Sequence, residues 1–312
     1  MKYLLTPAKD ETVPCTANAQ AILNRERNYI EHLPIELFKV AAQITNPYEL
    51  MIHVHRPKPV SRAYFKLWEI LVGTRVLDSV KGPLRAVHLC EAPGAFVQAT
   101  ADYWTKLGRS EYEPVAVTLP DDLEWKVDNV KVVYADVTKD GWSQQFQNVH
   151  FVTGDGGFEI SGHDKNNQET FNATLFHAQV YRGTEMLALG GSLVVKFFDM
   201  FTPATWDTLQ HAVNHFETVC IIKPYGSRVC NSERYLVAVS KQECQPLPRN
   251  DAQYAQIAVE MAHAQTTALR HAIRTTQSYP GARPYWLIRS HRQDAGALRR
   301  ARWALEQIEC LQ

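Results

Sequence analysis

Short apolar runs alternate with helical stretches through the middle of this chain, between residues 61 and 240. The runs are RAVHLCE, EPVAVTL, VKVVYAD, VHFVTGD, GSLVVKFF, TVCIIKP and RYLVAVS. Most are apolar at successive positions, which indicates strands buried on both faces of a largely parallel sheet covered by helices. Too few residues separate the last two runs for a crossover helix. The sequence therefore predicts a seven-stranded α/β sheet whose last strand is antiparallel to its neighbours.

Helical periodicity dominates on either side of this sheet region. The segment TANAQAILNRERNYIEHL begins with Thr16 as a candidate N-cap and carries apolar residues at helical spacing. Helical spacing returns after the last strand. We therefore predict three parts, namely a helical N-terminal extension over 1–55, an α/β domain over 56–241 and a helical, Arg-rich C-terminal extension over 242–312.

The composition excludes several broad classes of protein. Lys plus Arg and Asp plus Glu both total 33 in 312 residues, so a nucleic-acid surface would be a local patch on a neutral protein. The six cysteines lack metal-ligand spacing, which indicates free thiols in a reducing compartment and no metal site. No run approaches the ~20 apolar residues of a membrane span, and the first residues do not fit a signal peptide. We expect an intracellular protein, nuclear or cytoplasmic, that does not bind membranes.

A glycine-containing loop follows the first strand and leads into a helix. This loop, HLCEAPGAF, spans residues 88–96. Pro93, Gly94 and Ala95 let the backbone approach a ligand closely, and the helix N-terminus offers free N–H groups. The loop lacks the G-x-G-x-x-G of dinucleotide-binding folds. Because Glu91 is an anion, the loop suits a ligand with a cationic amino-acid end better than a pyrophosphate.

Acidic residues follow the second and third strands at the same predicted edge of the sheet. Asp136 ends the YAD run, and Asp121 and Asp122 follow the second strand. Carboxylates at these positions are candidates to bind the ribose or adenine of a nucleoside ligand. An ordinary loop acid is the alternative for each of them.

Two lysines and two carboxylates fall where one chemistry needs them. Asp155 ends the fourth strand in VTGDGG, where the two glycines would let a substrate or cofactor come close. Lys196 is a charged residue inside the apolar strand VVKFF. A buried lysine is costly unless it is paired, so Lys196 calls for a functional explanation. Glu233 begins the antiparallel last strand at the same edge, and Lys66 lies on the helix SRAYFKLWEIL, off its apolar stripe. Burial and a second cation, Lys66, would lower the pKa of Lys196, which a base for a hydroxyl group requires. Asp155 and Glu233 would orient the ammonium and, as counter-charges, oppose that fall in pKa.

Five segments resemble, in order, successive motifs of the FtsJ-like RNA 2′-O-methyltransferases, most closely the cap-specific mRNA enzymes of animals and viruses. The segments are SRAYFKL, HLCEAPGAF, TGDGG, KFFDMFTP and KPYGSRVCNSERYLV. The resemblance covers roughly 61–240 and implies a class I methyltransferase fold, which is Rossmann-like. HLCEAPGAF is similar to the enzyme for the second transcribed nucleotide, whereas KFFDMFTP and NSERY are similar to the enzyme for the first. The motifs therefore do not choose between these two nucleotides.

The resemblance also implies roles for individual residues. Lys66, Asp155, Lys196 and Glu233 correspond to the K-D-K-E tetrad of the family, with Lys196 as the base. S-adenosyl-L-methionine is implied as the methyl donor. The implied cofactor-binding positions are Glu91, Ala92, Pro93, Gly94, Ala95, Phe96, Asp136 and Asp155. Thr118 stands where the family has an acidic residue after the second strand, so adenosine recognition differs there.

Candidate RNA-binding residues lie at the end of the strand that carries Lys196, in the loop before Glu233 and in the C-terminal extension. Phe201, beyond the strand that carries Lys196, is a candidate to stack on a base. Lys223, Ser227 and Arg228 precede Glu233 and are candidates to hold phosphates. The C-terminal extension adds a possible basic and aromatic track, for which a solvated helix face is the alternative. Its residues are Arg270, Arg274, Arg299, Arg300, Arg302, Trp286 and Trp303.

These observations favour an mRNA cap 2′-O-methyltransferase whose partner is the capped 5′ end of mRNA, with other capping or transcription proteins as further candidates. The compact layout also fits a viral origin. A ribosomal or transfer RNA 2′-O-methyltransferase is the first alternative, although such enzymes are often shorter and strongly basic. A catalytically silent RNA-binding subunit of a capping complex is the second, and the intact tetrad argues against it.

Overall fold

The computed structural model describes residues 1–8, 12–46, 48–55, 58–120, 124–158 and 166–310. The strands in these ranges are β1 (Lys2–Leu4), β2 (Leu84–Leu89), β3 (Tyr112–Thr118), β4 (Lys131–Tyr134), β5 (Val149–Gly154), β6 (Leu187–Phe198), β7 (Phe216–Ile222) and β8 (Glu233–Lys241). The helices are α1 (Ala17–Tyr29), α2 (Ile35–Ile44), α3 (Met51–Val54), α4 (Ala63–Thr74), α5 (Ala95–Lys106), α6 (Gln168–Met186), α7 (Pro203–His215), α8 (Asp251–Gln277), α9 (Pro284–Gln293) and α10 (Ala295–Cys310). Among the residues described, no helix is both long and apolar enough to cross a bilayer.

The strands form one sheet in the order β1-β7-β8-β6-β5-β2-β3-β4. β2 pairs in parallel with both β3 and β5, and β5 pairs in parallel with β6. β8 lies between β6 and β7 and is antiparallel to both. The prediction of an α/β sheet with an antiparallel last strand is therefore confirmed. β3 and β4 lie on one side of β2 and β5 lies on the other, so the direction of the chain across the sheet reverses at β2. The α/β folds bind ligands beside such a point, at the carboxyl ends of the strands.

An additional strand at the edge of the sheet was not predicted. β1 belongs to the stretch that was expected to be helical, and it pairs antiparallel with β7, with Tyr3 opposite Ile221. Three residues are too few to show a strand periodicity. Within the described ranges, the sheet therefore has eight strands rather than seven.

Successive strand residues enter different hydrophobic cores, as expected for strands buried on both faces. Val194 packs into the core beneath α4 and α5, whereas Val195 packs into the core beneath α6, α7 and α8. In β2, Ala86 packs into the core beneath α4 and α5, whereas Val87 packs into the core beneath α6, α7 and α8. This alternation explains why these runs are apolar at nearly every position.

The N-terminal and C-terminal helices pack together beside the sheet. α1 and α2 pack against α8, α9 packs against α2, and α10 packs against α3 and α4. Leu23 of α1 and Leu269 of α8 belong to one buried cluster. The three-part division at residues 55 and 241 remains a prediction. The helices that precede and follow the sheet region share this one core.

A buried ion network joins α1 to the sheet. Asp199 follows β6, and its carboxylate accepts hydrogen bonds from the guanidinium of Arg27 at 2.8 and 3.1 Å. The guanidinium of Arg234, on β8, lies 3.7 Å from the same carboxylate. All three side chains are less than 10% exposed. The Asp199 carboxylate therefore pairs with two buried cations. One of them, Arg234, directly follows Glu233 along the chain.

Candidate active site

The four expected catalytic residues meet at the carboxyl edge of the sheet. Asp155 directly follows β5, Lys196 lies near the end of β6 and Glu233 begins β8. In the β6–β8 register, Phe198 lies opposite Glu233, which places the start of β8 at the end of β6. Lys66 comes from the first turn of α4, which packs on this side of the sheet. Four separate elements therefore contribute to one cluster.

Lys66 and Glu233 form the first ion pair of this cluster. The Lys66 Nζ atom donates to Oε2 of Glu233 at 2.8 Å, and both side chains are largely buried. Burial alone would raise the pKa of Glu233, but Lys66, Lys196 and Lys223 outweigh it and hold the pKa well below its usual range. The other oxygen, Oε1, is buried and has no hydrogen-bond partner among the described residues. It is available to accept a hydrogen bond from a ligand.

Lys196 and Asp155 form the second ion pair. The Lys196 Nζ atom lies 3.2 Å from Oδ1 of Asp155. Burial lowers the pKa of Lys196, but Asp155 and Glu233 reverse this and leave the pKa above its ordinary value. The expectation that burial and Lys66 depress this pKa is therefore not met in the protein alone, because two carboxylates surround the amine.

Tyr235 also contacts the Asp155 carboxylate, and its role in the site was not predicted from the sequence. Its hydroxyl donates to Oδ1 of Asp155 at 2.9 Å, the same oxygen that Lys196 approaches. Burial raises the pKa of Tyr235 well above its usual range, so the phenol remains a donor. Tyr235 lies two residues after Glu233, and alternate residues of a strand share a face. That spacing is the signal that would have identified it.

The glycines after Asp155 lie against protein side chains. A Cβ atom on Gly157 would lie 2.8 Å from the ring of Phe198 and 3.2 Å from Cε of Lys196. A Cβ on Gly156 would lie 2.8 Å from Sγ of Cys90. The sequence suggested that these glycines admit a ligand, whereas here they admit Phe198, whose ring centroid is 5.8 Å from the Lys196 amine. Phe198 is thus an aromatic residue beside the expected base, whereas Phe197 is buried in the core.

Glu91 lies inside the loop rather than on its open side. Its Oε1 atom accepts hydrogen bonds from the backbone N–H groups of Phe96 and Val97, at 2.7 and 3.0 Å. Burial, with a contribution from Asp155, raises the pKa of Glu91 to about 8. The carboxyl group thus caps the N-terminus of α5 from within. Only Oε1 is held by the helix N–H groups, and the role of Glu91 in binding a cationic ligand remains a prediction.

The remaining loop residues are closely packed. Gly94 has a φ of +110°, and a Cβ there would lie 2.5 Å from Cγ2 of Val127. The N–H of Lys126 donates to the carbonyl of Pro93 at 3.1 Å, so this segment covers the outer side of the loop. Ala95 and Phe96 are buried, and Ala92 is partly exposed. Gly94 is therefore required by backbone conformation and by Val127.

The acidic positions beyond the loop have different outcomes. Asp136 follows β4, where its Oδ1 accepts hydrogen bonds from the N–H and hydroxyl of Thr138 at 2.9 and 2.7 Å. These bonds lower the pKa of Asp136. Asp121 and Asp122 lie outside the described residues. Thr118, at the end of β3, is buried.

Two of the three residues expected to hold phosphate before Glu233, Lys223 and Ser227, point into the protein. The Lys223 amine donates to Oγ of Ser227 at 2.9 Å and to the carbonyl of Glu233 at 2.7 Å. Burial lowers the pKa of Lys223 well below its usual range. Arg228 instead binds Glu49 through two hydrogen bonds, at 2.8 and 3.0 Å. Lys223 and Ser227 thus shape the loop that carries Glu233, because their polar groups are already used internally.

The other candidate RNA-binding residues are dispersed. Phe201 is partly buried and packs against two hydrophobic clusters, so only part of its ring is accessible. Trp286 and Trp303 are 57% and 54% exposed, on α9 and α10. The five arginines of the expected track lie on two helices, Arg270 and Arg274 on α8 and the other three on α10. Arg270 pairs with Glu26 at 2.8 Å.

A largely parallel sheet with an antiparallel last strand, carrying two lysine–carboxylate pairs at its carboxyl edge, defines a methyltransferase of the α/β class. The chain belongs to the FtsJ-like methyltransferase family, whose sequence profile matches residues 59–241, more than half of the chain. That match spans all four residues of the cluster. The cluster therefore lies inside the methyltransferase domain of this family.

Similar proteins carry related names. A Trypanosoma brucei brucei protein named cap-specific mRNA (nucleoside-2′-O-)-methyltransferase 1 is 31% identical over 197 residues, which cover 55% of this chain and 50% of that protein. A Xenopus laevis protein of the same name is 27% identical over 272 residues, covering 75% and 31%. A Danio rerio protein named cap-specific mRNA (nucleoside-2′-O-)-methyltransferase 2 is 31% identical over 219 residues, covering 60% and 29%. The chain spans half or less of the length of these relatives.

Proposed function

We propose that this protein is an mRNA cap 2′-O-methyltransferase, which moves a methyl group from S-adenosyl-L-methionine to the ribose 2′-hydroxyl of a cap-proximal nucleotide. The observation that carries the proposal is the paired cluster of Lys66 with Glu233 and Lys196 with Asp155. The names of the three relatives support the capped substrate. Relatives of both types are similar to this chain, so the proposal covers the first or the second transcribed nucleotide.

The loop after β2 fits a cofactor that has no phosphate group. Glu91 already occupies the first N–H groups of α5, which in dinucleotide-binding folds hold a pyrophosphate. A phosphate at this helix end would find these donors already taken by Glu91. S-adenosylmethionine carries an amino acid and a nucleoside without phosphate. The loop from Glu91 to Phe96, together with Asp136 and Asp155, would hold it.

Lys196 is placed to act as the general base. When bound, S-adenosylmethionine supplies a methyl group on a positively charged sulfur. The neutral Lys196 amine accepts the proton of the 2′-hydroxyl as the new oxygen–carbon bond forms and the sulfur–carbon bond breaks. Asp155 and the Tyr235 hydroxyl hold the amine in position, since Lys196 and Tyr235 share one Asp155 oxygen. The unpartnered Oε1 of Glu233 is an acceptor for the substrate ribose.

The raised pKa of Lys196 predicts a specific dependence on pH. A base must be neutral, and a group whose pKa lies above its ordinary value is protonated at neutral pH. The single-turnover rate should therefore rise with pH, by up to about tenfold per unit, until it levels off at the pKa of Lys196 in the complex. Rapid-quench measurements between pH 6 and 9.5 test this. A rate that does not change over the whole range would contradict Lys196 as the base.

Substrate choice tests the proposed function. RNA with an N7-methylguanosine cap should be methylated about tenfold or more faster than the same RNA with a 5′-triphosphate, because the cationic guanine gains ~1–2 kcal/mol on an aromatic face. The measurement is transfer of tritiated methyl groups, followed by nuclease mapping of the modified nucleotide. Ribosomal and transfer RNA transcripts serve as controls. Preference for either folded RNA would favour the alternative substrates, and absence of transfer to every RNA would favour a silent subunit.

A further inference from the structure

A cation-lined cavity lies beside the active site. Its lining contains none of the four residues of the catalytic cluster. Its volume is about 310 Å³, at the lower end of the ~300–1,000 Å³ typical of small-ligand sites. It lies between α2, α3 and α9. Its lining includes the charged or titratable side chains of Glu49, Lys58, Arg62, Arg228, His291 and Arg292.

The charge balance of this cavity is positive. Glu49 is neutralised by Arg62 and Arg228, whose nitrogens each lie 2.8 Å from its Oε1. The two guanidinium groups hold the pKa of Glu49 below its usual range, although burial opposes this. Lys58 and Arg292 form no ion pair with any of the described residues. Two arginines thus share one carboxylate, and two further cations have no ion-pair partner within the described ranges.

A second observation points to a ligand in the same place. The Nε2 atom of His291 is enclosed and has no hydrogen-bond partner among the residues that the structure describes. A buried polar atom without a partner carries an energetic cost, so such atoms usually bind a ligand or an ordered water. The imidazole can donate to an anion, as can the adjacent cations.

The cavity is linked to the catalytic cluster through the chain. Arg62 precedes Lys66 by one helical turn, and Arg228 lies in the loop that leads to Glu233. Both arginines lie within electrostatic range of Glu233. His291 and Arg292 come from α9, in the C-terminal extension. An anion in the cavity would therefore lie beside the ribose-binding cluster, held partly by the extension.

We propose that this cavity binds a phosphate group of the RNA substrate and that the C-terminal extension thereby contributes to RNA binding. This inference rests on the proposed function for the identity of the anion. An RNA chain offers phosphates on either side of the reacting ribose, and planar guanidinium groups suit phosphate oxygens. The site is distinct from the basic track on α8 and α10.

The test compares the double variant Lys58→Ala/Arg292→Ala with the wild-type protein. Binding of a fluorescent capped RNA should weaken on the order of tenfold at low salt. The slope of log affinity against log salt concentration should become shallower by about 1.4, that is ~0.7 for each lost contact with a single strand. The matched control is Arg289→Ala, because Arg289 lies on the same helix over Trp286 and does not line the cavity. Affinity for S-adenosylmethionine should not change.

Inorganic tripolyphosphate separates the anion site from the proposed function. Calorimetry should show tripolyphosphate binding to the wild-type protein and to Arg289→Ala, and at least fivefold weaker binding to the double variant. Equal binding of tripolyphosphate or of RNA to the double variant and the wild type would overturn the phosphate site. If tripolyphosphate discriminates between the proteins while no RNA binds or is methylated, the anion site stands and the proposed function fails.

Discussion

Replacing Lys196 by alanine is expected to lower the rate of methyl transfer by about 10²–10⁴-fold, the usual contribution of a general base. Lys196→Arg should be similarly inactive, because arginine stays protonated at any pH that the protein tolerates. Binding of S-adenosylmethionine should change little in either variant, since the loop after β2 belongs to a different element. Single-turnover methyl transfer measures the first effect, and calorimetry measures the second.

The matched control for Lys196 is Lys139→Ala. Lys139 is an exposed lysine near Asp136 and lies away from the ion pairs of the cluster. Its removal should leave the rate within about twofold of the wild type, since isolated surface substitutions rarely matter. Substantial activity in Lys196→Arg would show that no neutral amine is needed at this position. The cluster would then act by positioning alone.

Asp199→Asn is expected to destabilise the fold by about 3–5 kcal/mol, which is the usual cost of leaving a buried charge without its partner. The substitution keeps the size of the side chain, so no cavity forms. It leaves the guanidinium groups of Arg27 and Arg234 buried, with no carboxylate between them. Urea unfolding followed by circular dichroism measures the change as a lower midpoint at an unchanged slope.

The matched control for Asp199 is an exposed ion pair. Asp207 pairs with Arg249, but its side chain is 66% exposed. Asp207→Asn should cost less than about 1 kcal/mol, because solvent screens such pairs. If both variants lost the same small amount, the network between α1 and the sheet would contribute no more than a surface contact. In that case the attachment of α1 would depend on its apolar face alone.

The sheet and the catalytic cluster could be predicted because both depend on position along the chain. Apolar runs locate strands, and the ends of parallel strands meet at one edge, which brings Asp155 and Lys196 together. The antiparallel last strand added Glu233 to the same edge. β1 could not be predicted, because its three residues form a strand only through β7, more than 200 positions away.

Side-chain direction accounts for the expectations that the structure changes. Glu91 accepts hydrogen bonds from the start of α5 and Lys223 donates to the carbonyl of Glu233, and neither internal contact was predicted. A sequence shows that a residue is polar without showing which buried groups need it. The same limit concealed the cavity residue His291, whose neighbours come from distant parts of the chain.

The pairing of β1 with β7 has a consequence for how the chain matures during synthesis. β7 would otherwise be an edge strand with open backbone groups, which can pair with another chain. Tyr3 emerges from the ribosome long before its partner Ile221. The segment from Thr6 to Ala8 binds residues that are synthesised after β7. The Thr6 N–H donates to the side chain of Gln253, and the Ala8 N–H donates to the carbonyl of Pro248. The hydrogen bonds that fix the N-terminal segment at this edge of the sheet can therefore form completely only after the start of α8 has been synthesised.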